Sequence, residues 1–294
     1  MRAPLLLWLG LNVVAVLCRG ELPPDQLISD FVPPAGRGCP ASVREGPCGK
    51  RLLLARSADG LNFFRTYRIL TDQADVPDMV VDQRGWIYVY YVGTNVGREN
   101  NKIAVAISPD YGEHWVFKRV IIEGFSGLSD PVDPDIQLLP DGTFRLYVTA
   151  SRAGEPPKTW LAEGRDGVRF TFRGLAFAPP GNALDPSVVR IGDTWHIFAG
   201  GGSRPGSNWH GVSTDGVRFD YREELLLQQN GMSQAISNVV AVAGGWRMFT
   251  FSHPAPHVIT PSSVQMDTAG FRNLECGWVW KKRHSNRTAL RTRL

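Results

Sequence analysis

The chain has 294 residues, 43% of them hydrophobic, and a formal net charge of +4. Arg2 and Arg19 supply two positive charges and the last fourteen residues six, so residues 21–280 are four charges negative. That acidic body argues against nucleic acid as a partner. No stretch after the first twenty residues is long and apolar enough to span a membrane.

Residues 1–20 read as a secretory signal, with Arg2 ahead of an apolar run from Pro4 to Leu17 and small residues around Gly20 for cleavage. Ala15-Val16-Leu17-Cys18 fits a bacterial lipobox poorly, because Leu stands directly before the Cys. The expectation is a soluble, secreted protein, extracellular or periplasmic. Residues 21–50 are an irregular, Pro/Gly-rich lead-in. In it Cys39 and Cys48, nine apart, predict a small disulfide loop in an oxidising compartment, leaving Cys276 over. Residues 281–294 form a basic tail, read first as a solvated end.

From Arg51 the chain becomes short β-runs separated by turns, with no amphipathic helix. A turn phrase recurs: Ser57-Ala58-Asp59-Gly60 before Phe63, Ser108-Pro109-Asp110-Tyr111-Gly112 before Trp115, and Ser213-Thr214-Asp215-Gly216 before Phe219. Arg165-Asp166-Gly167 with Phe170 and Asp267-Thr268-Ala269-Gly270 with Phe271 are worn copies. The aspartates fall 51, 56, 49 and 52 residues apart, which is the signature of a repeat architecture. Within each copy, Asp and Ser side chains can accept backbone N–H groups while Gly supplies the positive φ.

The period divides residues 51–280 into four-stranded antiparallel units, the pattern of β-propeller blades. The first unit is Met79 to Val81, Trp86 to Val92, Ile103 to Ile107 and Trp115 to Ile122. The second is Ile136 to Leu139, Phe144 to Thr149, Thr159 to Ala162 and Phe170 to Leu175. The third is Ser187 to Ile191, Trp195 to Ala199, Trp209 to Val212 and Phe219 to Leu226. The fourth is Ile236 to Val242, Trp246 to Phe251, Val258 to Gln265 and a ragged end near Phe271. Leu52 to Arg56 and Phe63 to Leu70 supply two outer strands of a further blade. If Gly277 to Lys281 returns as its inner strand, the all-β ring closes with five blades.

A second phrase opens the inner strands: Val76-Pro77-Asp78, Asp133-Pro134-Asp135 and Leu184-Asp185-Pro186-Ser187, becoming Ser233-Gln234-Ala235 in the fourth unit. Inner strands run the same way through the channel, so these positions converge at one end. Crowded carboxylates raise one another's pKa, which separates a protonated acid from an ionised base. The alternative is that they are Asp-Pro turns bonding backbone at strand entries.

The blade period and the Asp-Pro phrases, together with Asp141-Gly142-Thr143-Phe144, resemble the five-bladed propeller glycosidases. These are the arabinanases, β-xylosidases, invertases and levansucrases of glycoside hydrolase families 43, 32, 68 and 130, and the resemblance covers roughly residues 51–275. The Ser/Asp/Gly turns resemble the Asp-box of sialidase-type propellers. The resemblance implies carbohydrate as the partner, with Asp78 as base or nucleophile, Asp135 as the tuning carboxylate and Asp185 or Glu155 as acid. It requires no cofactor and no catalytic metal, although a structural Ca2+ in the channel is compatible with it. No Glu opens an inner strand, as the family acid would, and Glu155 lies on a rim loop.

Trp160, His196, Trp209 and His210 are candidates for stacking on sugar, against the alternative that most tryptophans pack between blades. The rival functions are a non-catalytic propeller that binds glycan or protein and a sialidase-like exo-glycosidase. The latter needs an arginine triad that no spacing here picks out. A monomer is expected.

Overall fold

In a computed structural model the protein is described over residues 27–43, 46–94, 102–229, 231–242, 245–253, 258–267, 270–276 and 280–281, with side chains to residue 252. The predicted signal, the side chain of Cys276 and the tail from residue 282 lie outside the described residues.

The chain is an all-β propeller. A hairpin of β1 (Arg51–Arg56) and β2 (Phe64–Asp72) comes first and stays a two-stranded sheet. Blade one follows as β3 (Ala74–Val81), β4 (Ile87–Gly93), β5 (Ile103–Ser108) and β6 (Val116–Arg119), paired in that order. The short β7 (Ile121–Glu123) then crosses to the second blade. Blade two is β8 (Val132–Leu138), β9 (Phe144–Ala150), β10 (Lys158–Gly164) and β11 (Arg169–Phe177), with β7 parallel on its outer strand. Blade three is β12 (Leu184–Ile191), β13 (Thr194–Gly200), β14 (Asn208–Ser213) and β15 (Asp220–Leu225). Blade four begins with β16 (Leu227–Gln229) beside β17 (Met232–Val242). It continues through β18 (Gly245–His253), β19 (Val258–Asp267) and β20 (Gly270–Cys276).

Middle strands such as Ile87–Gly93 and Ile103–Ser108 are buried on both faces, which explains their continuous β-branched and aromatic runs. Each interface between blades has its own apolar core. Tyr88, Tyr90, Leu146 and Phe170 fill the first, and Tyr147, Leu161, Ile197 and Trp209 the second. Phe198, Ile236, Val239 and Met248 fill the third. Leu52 and Leu70 of the hairpin pack against Val89 and Tyr91 of blade one. On its other side the hairpin meets blade four, where the Phe63 and Phe249 rings stand 6.1 Å apart and Arg247 donates to the Asp59 carbonyl.

The ring therefore holds four complete blades, and the fifth sheet is the hairpin wedged between the fourth and the first. The expected return of Gly277 to Lys281 as an inner strand is corrected: β21 (Trp280–Lys281) pairs with β19, within blade four. The physical reason lies in the inner ring, which closes without a fifth strand. The Asn238 amide of β17 donates directly to Asp78 Oδ1 of β3, at 2.8 Å.

The recurrent turns are self-contained networks. In the hairpin, Asp59 Oδ1 accepts the Leu61 and Asn62 N–H groups at 2.8 Å while Ser57 Oγ accepts from Gly60 at 2.7 Å. Asp110 with Ser108 and Asp215 with Ser213 repeat the pattern. The turn carbonyls also latch neighbouring blades together. Tyr90 of blade one donates to the Gly167 carbonyl of blade two, and Tyr147 of blade two donates to the Gly216 carbonyl of blade three.

Candidate active site at the channel mouth

Each inner strand of the first three blades enters the channel through the same β-bulge. Register slips between Asp75 and Asp78, between Val132 and Asp135 and between Leu184 and Ser187, and a Pro sits in each slip. The residue before that Pro lies in the left-handed region in all three blades: Val76 at φ 43°, Asp133 at 51° and Asp185 at 46°. Such backbone costs a non-glycine residue about 1–3 kcal/mol and is worst for a β-branched one. The bulge turns the Asp133 and Asp185 side chains out of the alternation of their strands.

Two rings of polar groups result. The deeper one follows the bulge, where Asp78, Asp135, Ser187 and Asn238 stand opposite Tyr90, Tyr147, Phe198 and Phe249. Its members stitch each inner strand to the next. The Ile136 N–H donates to Asp78 Oδ2 at 2.8 Å, the Val188 N–H to Asp135 Oδ2 at 3.1 Å and the Val239 N–H to Ser187 Oγ at 2.9 Å. Asn238 then returns to Asp78. Burial pushes the Asp78 carboxyl up to about 6, against the hydrogen bonds from Ile136 and Asn238 that favour its ionised form. Burial first, and then the charge of Asp78, push Asp135 well above the usual carboxylate range, and only 2% of its surface is exposed.

The outer ring lies at the mouth. Asp133 and Asp185 occupy the left-handed positions, and the Asp185 N–H donates to Asp133 Oδ2 at 3.3 Å. Asp75 stands beside them at the start of the bulge in β3, ion-paired with Lys50. Burial, followed by the charges of Asp133 and Asp75, raises Asp185 to about 7, and Lys50 pulls it the other way. Asp133 is also raised, mainly by burial. The Asp185 carboxyl thus holds its proton to higher pH than an ordinary aspartate.

Asp78, Asp135 and Asp185 are consequently not one position in three blades. The deeper position of blade three is Ser187, and Asp185 matches Asp133 and Val76. The sequence expectation assigned one site Asp to each blade, whereas the aromatic opposite each deep residue fixes the alignment.

Glu155 is exposed on the loop between β9 and β10, and no hydrogen bond or charge contact among the described residues joins it to the carboxylates. Trp160 and Trp209 are interblade core residues, each 4% exposed. Their indole N–H groups are spent on the Ala150 and Asn182 carbonyls. His196 and His210 stack with planes 2° apart, linked Nδ1 to Nε2 at 3.0 Å, and His210 Nδ1 reaches Glu223. Burial holds both imidazoles below their usual range, His196 at about 4. They run across blade three and away from the channel. A cavity of about 500 Å³ lined by Arg145, Glu163, Arg165 and Arg173 lies at the opposite end of blade two.

Asp75, Lys50, Asp133, Ser187 and Asn238 were not among the site residues expected from the sequence. The aromatic series Tyr90, Tyr147, Phe198 and Phe249 was the signal for the last two. Lys50 carries none, because it belongs to the lead-in. Among the described residues no group of three or more His, Cys, Asp or Glu side chains is arranged to hold a metal ion. The cation beside Asp75 is the Lys50 ammonium.

Fold and mouth together define a β-propeller with a carboxylate-lined channel. Among solved structures the chain is similar to a β-xylosidase at 15% identity and TM-score 0.59, over 80% of this chain and 88% of that one. It is also similar to a family-43 β-1,3-galactosidase with galactodeoxynojirimycin, at 11% identity and TM-score 0.58, over 78% and 86%. A third is a family-43 β-xylosidase/α-arabinofuranosidase from a compost microbial metagenome, in complex with xylotriose in a calcium-free form. That likeness has 15% identity and TM-score 0.51, over 69% and 74%. At these identities the likeness is one of fold. The sequence matches no protein-family model and no curated protein.

Proposed function

We propose that the chain is a secreted glycoside hydrolase acting on oligo- or polysaccharide at the channel mouth. The carrying observation is the pair Asp133 and Asp185, held at strained left-handed positions where burial raises both carboxyls, with the charge of Asp75 acting on both and that of Asp133 on Asp185. Strain and raised pKa at one spot are the mark of a working site. The neighbours of similar fold are described as glycosidases, and the Cys39–Cys48 disulfide suits an exported protein.

In this reading Asp185 donates its proton to the glycosidic oxygen as the bond to the anomeric carbon breaks. The Asp75 carboxylate takes a proton from the incoming water. Asp133, hydrogen-bonded to the Asp185 backbone, tunes the acid. Asp78 and Asp135 form the floor that fixes the strands, since Asp78 commits both oxygens to Ile136 and Asn238. This moves the base role expected for Asp78 to the mouth. Distances between carboxylates of about 5–5.5 Å or 6.5–9.5 Å in a substrate complex would distinguish retention from inversion.

A screen of nitrophenyl β-xylosides, α-arabinofuranosides and β-galactosides, extended to oligosaccharides, tests the proposal. Wild type releases product, and Asp185→Asn loses about 10²- to 10⁴-fold in kcat. Turnover by neither protein, or equal turnover by both, contradicts it. A second reading is a glycan-binding propeller without catalysis. Val76 favours it, because an apolar side chain in blade one takes the position that carries carboxylates in blades two and three. Binding in a glycan array without turnover would select that reading.

A further inference from the structure

Lys50 belongs to no blade. It follows the 3-10 turn Pro47–Gly49, and its ammonium enters the mouth from the lead-in to pair with Asp75. The backbone around it is fastened at several points. The Lys50 N–H donates to the Pro47 carbonyl at 2.9 Å, and the Lys50 carbonyl accepts the Gln73 N–H at 2.8 Å. Gln73, with φ 54°, immediately precedes β3. Its side-chain carbonyl accepts the Thr94 hydroxyl at 2.5 Å, and its amide reaches back to the Gly36 carbonyl at 3.3 Å. The Gly36 N–H in turn donates to Asp72 Oδ2 at 2.7 Å, and Asp72 is ion-paired with Arg51.

The turn itself is closed by the Cys39–Cys48 disulfide and by a bond from the Gly38 N–H to the Cys48 carbonyl. The described part of this Pro/Gly-rich segment is thereby fastened against the channel entrance. A disulfide achieves this by restricting the conformations open to the loop.

We propose that Lys50, delivered by the disulfide-closed lead-in, is a positioning residue for the mouth carboxylates, setting which of them carries the proton. The idea rests on the hydrolase reading for its functional meaning, but its electrostatic content stands apart. The charged groups facing the cluster are few. Asp75 comes from β3, Asp133 from β8, Asp185 from β12 and Lys50 from the lead-in, while β17 contributes no charged side chain. Arg51 and Asp72 form their own pair behind Lys50. Below the cluster lie Asp78 and Asp135. Among the described residues Lys50 is the one cation named against the five carboxylates of the two rings. Removing it takes away the positive charge that holds the Asp133 and Asp185 carboxyls down, which favours their protonated forms.

The test is a carboxyl titration by NMR on protein labelled at aspartate, comparing wild type, Lys50→Gln, Lys50→Arg and the double variant Cys39→Ser/Cys48→Ser. Lys50→Gln should move the Asp185 midpoint up by roughly one unit, and Lys50→Arg should hold it near the wild-type value. The double Ser variant should move it up by less, because the ammonium is then present but loosely placed. If turnover is detected, the alkaline limb of its pH profile should rise with the midpoint in Lys50→Gln. A folded Lys50→Gln whose Asp185 titrates as in wild type overturns the role of Lys50. A folded double Ser variant with an unmoved midpoint overturns the role of the loop. Should no glycoside be cleaved by wild type, the hydrolase reading fails while the titration still decides the fate of Lys50.

Discussion

The two ends of this propeller use the same residue for opposite ends. At the turns, Asp59, Asp110 and Asp215 accept backbone N–H groups in open solvent, and those bonds hold their carboxyls below the usual range, Asp110 at about 2. At the channel Asp135 is buried and Asp78, Asp133 and Asp185 are half-buried, and burial is the first cause raising all four, with neighbouring carboxylates adding to Asp133, Asp135 and Asp185. Aspartate identity decides nothing by itself. What decides is whether the fold offers the carboxylate donors and water or takes water away and adds a second negative charge.

The contrast is most exposed to failure at Asp185. Asp185→Asn should abolish most turnover, by about 10²- to 10⁴-fold, whereas Asp110→Asn should leave turnover near wild type. The same Asn variant carries a pH signature in stability. A carboxyl raised in the folded state costs nothing below its unfolded value near 4, and its cost grows as pH rises through that value towards about 7. Asp185→Asn should therefore gain stability relative to wild type between pH 4 and pH 8, by about 1–3 kcal/mol. Urea unfolding at several pH values measures it, and a gain independent of pH would contradict the assignment.

Next in size is the stitching ring. Asp78→Ala strands the Ile136 N–H of blade two and the Asn238 amide of blade four, and should cost about 3 kcal/mol in urea unfolding. Ser187→Ala removes one acceptor from the same ring and should cost about 1–2 kcal/mol. If Ser187→Ala is the more damaging, the ring is not what closes the propeller.

Much of the fold was legible because blade period and strand patterning are local signals. The turn aspartates marked where strands three and four meet, and apolar runs such as Ile103–Ser108 marked buried middle strands. Two things were not legible. The ring's closure depends on Asn238 reaching Asp78 across 160 residues, a contact with no sequence period. The bulge before each Pro shifts the register, so Asp133-Pro134-Asp135 supplies both rings while Asp185-Pro186-Ser187 supplies one carboxylate only. Of the sugar-stacking candidates, Trp160 and Trp209 sit in the apolar cores between blades, because those interfaces demand large side chains, while His196 and His210 stack on each other within blade three.

The smallest expected effects belong to the turns. Tyr147→Phe removes one hydrogen bond to the Gly216 carbonyl and should cost about 1 kcal/mol. Asp110 stabilises above its unfolded pKa, and that contribution should fade only as pH falls towards about 2. Thermal unfolding of Asp110→Asn against wild type at pH 7 and at pH 2 checks it, with the difference shrinking at the lower pH.

The measurement that bears most directly on the division between the two ends is a site-resolved carboxyl titration of the wild-type protein. Asp185 should titrate near pH 7 and Asp110 near pH 2, with Asp78 near pH 6. Asp185 titrating together with the turn aspartates would show that the mouth does not hold a protonated acid, and the catalytic account would fall with it.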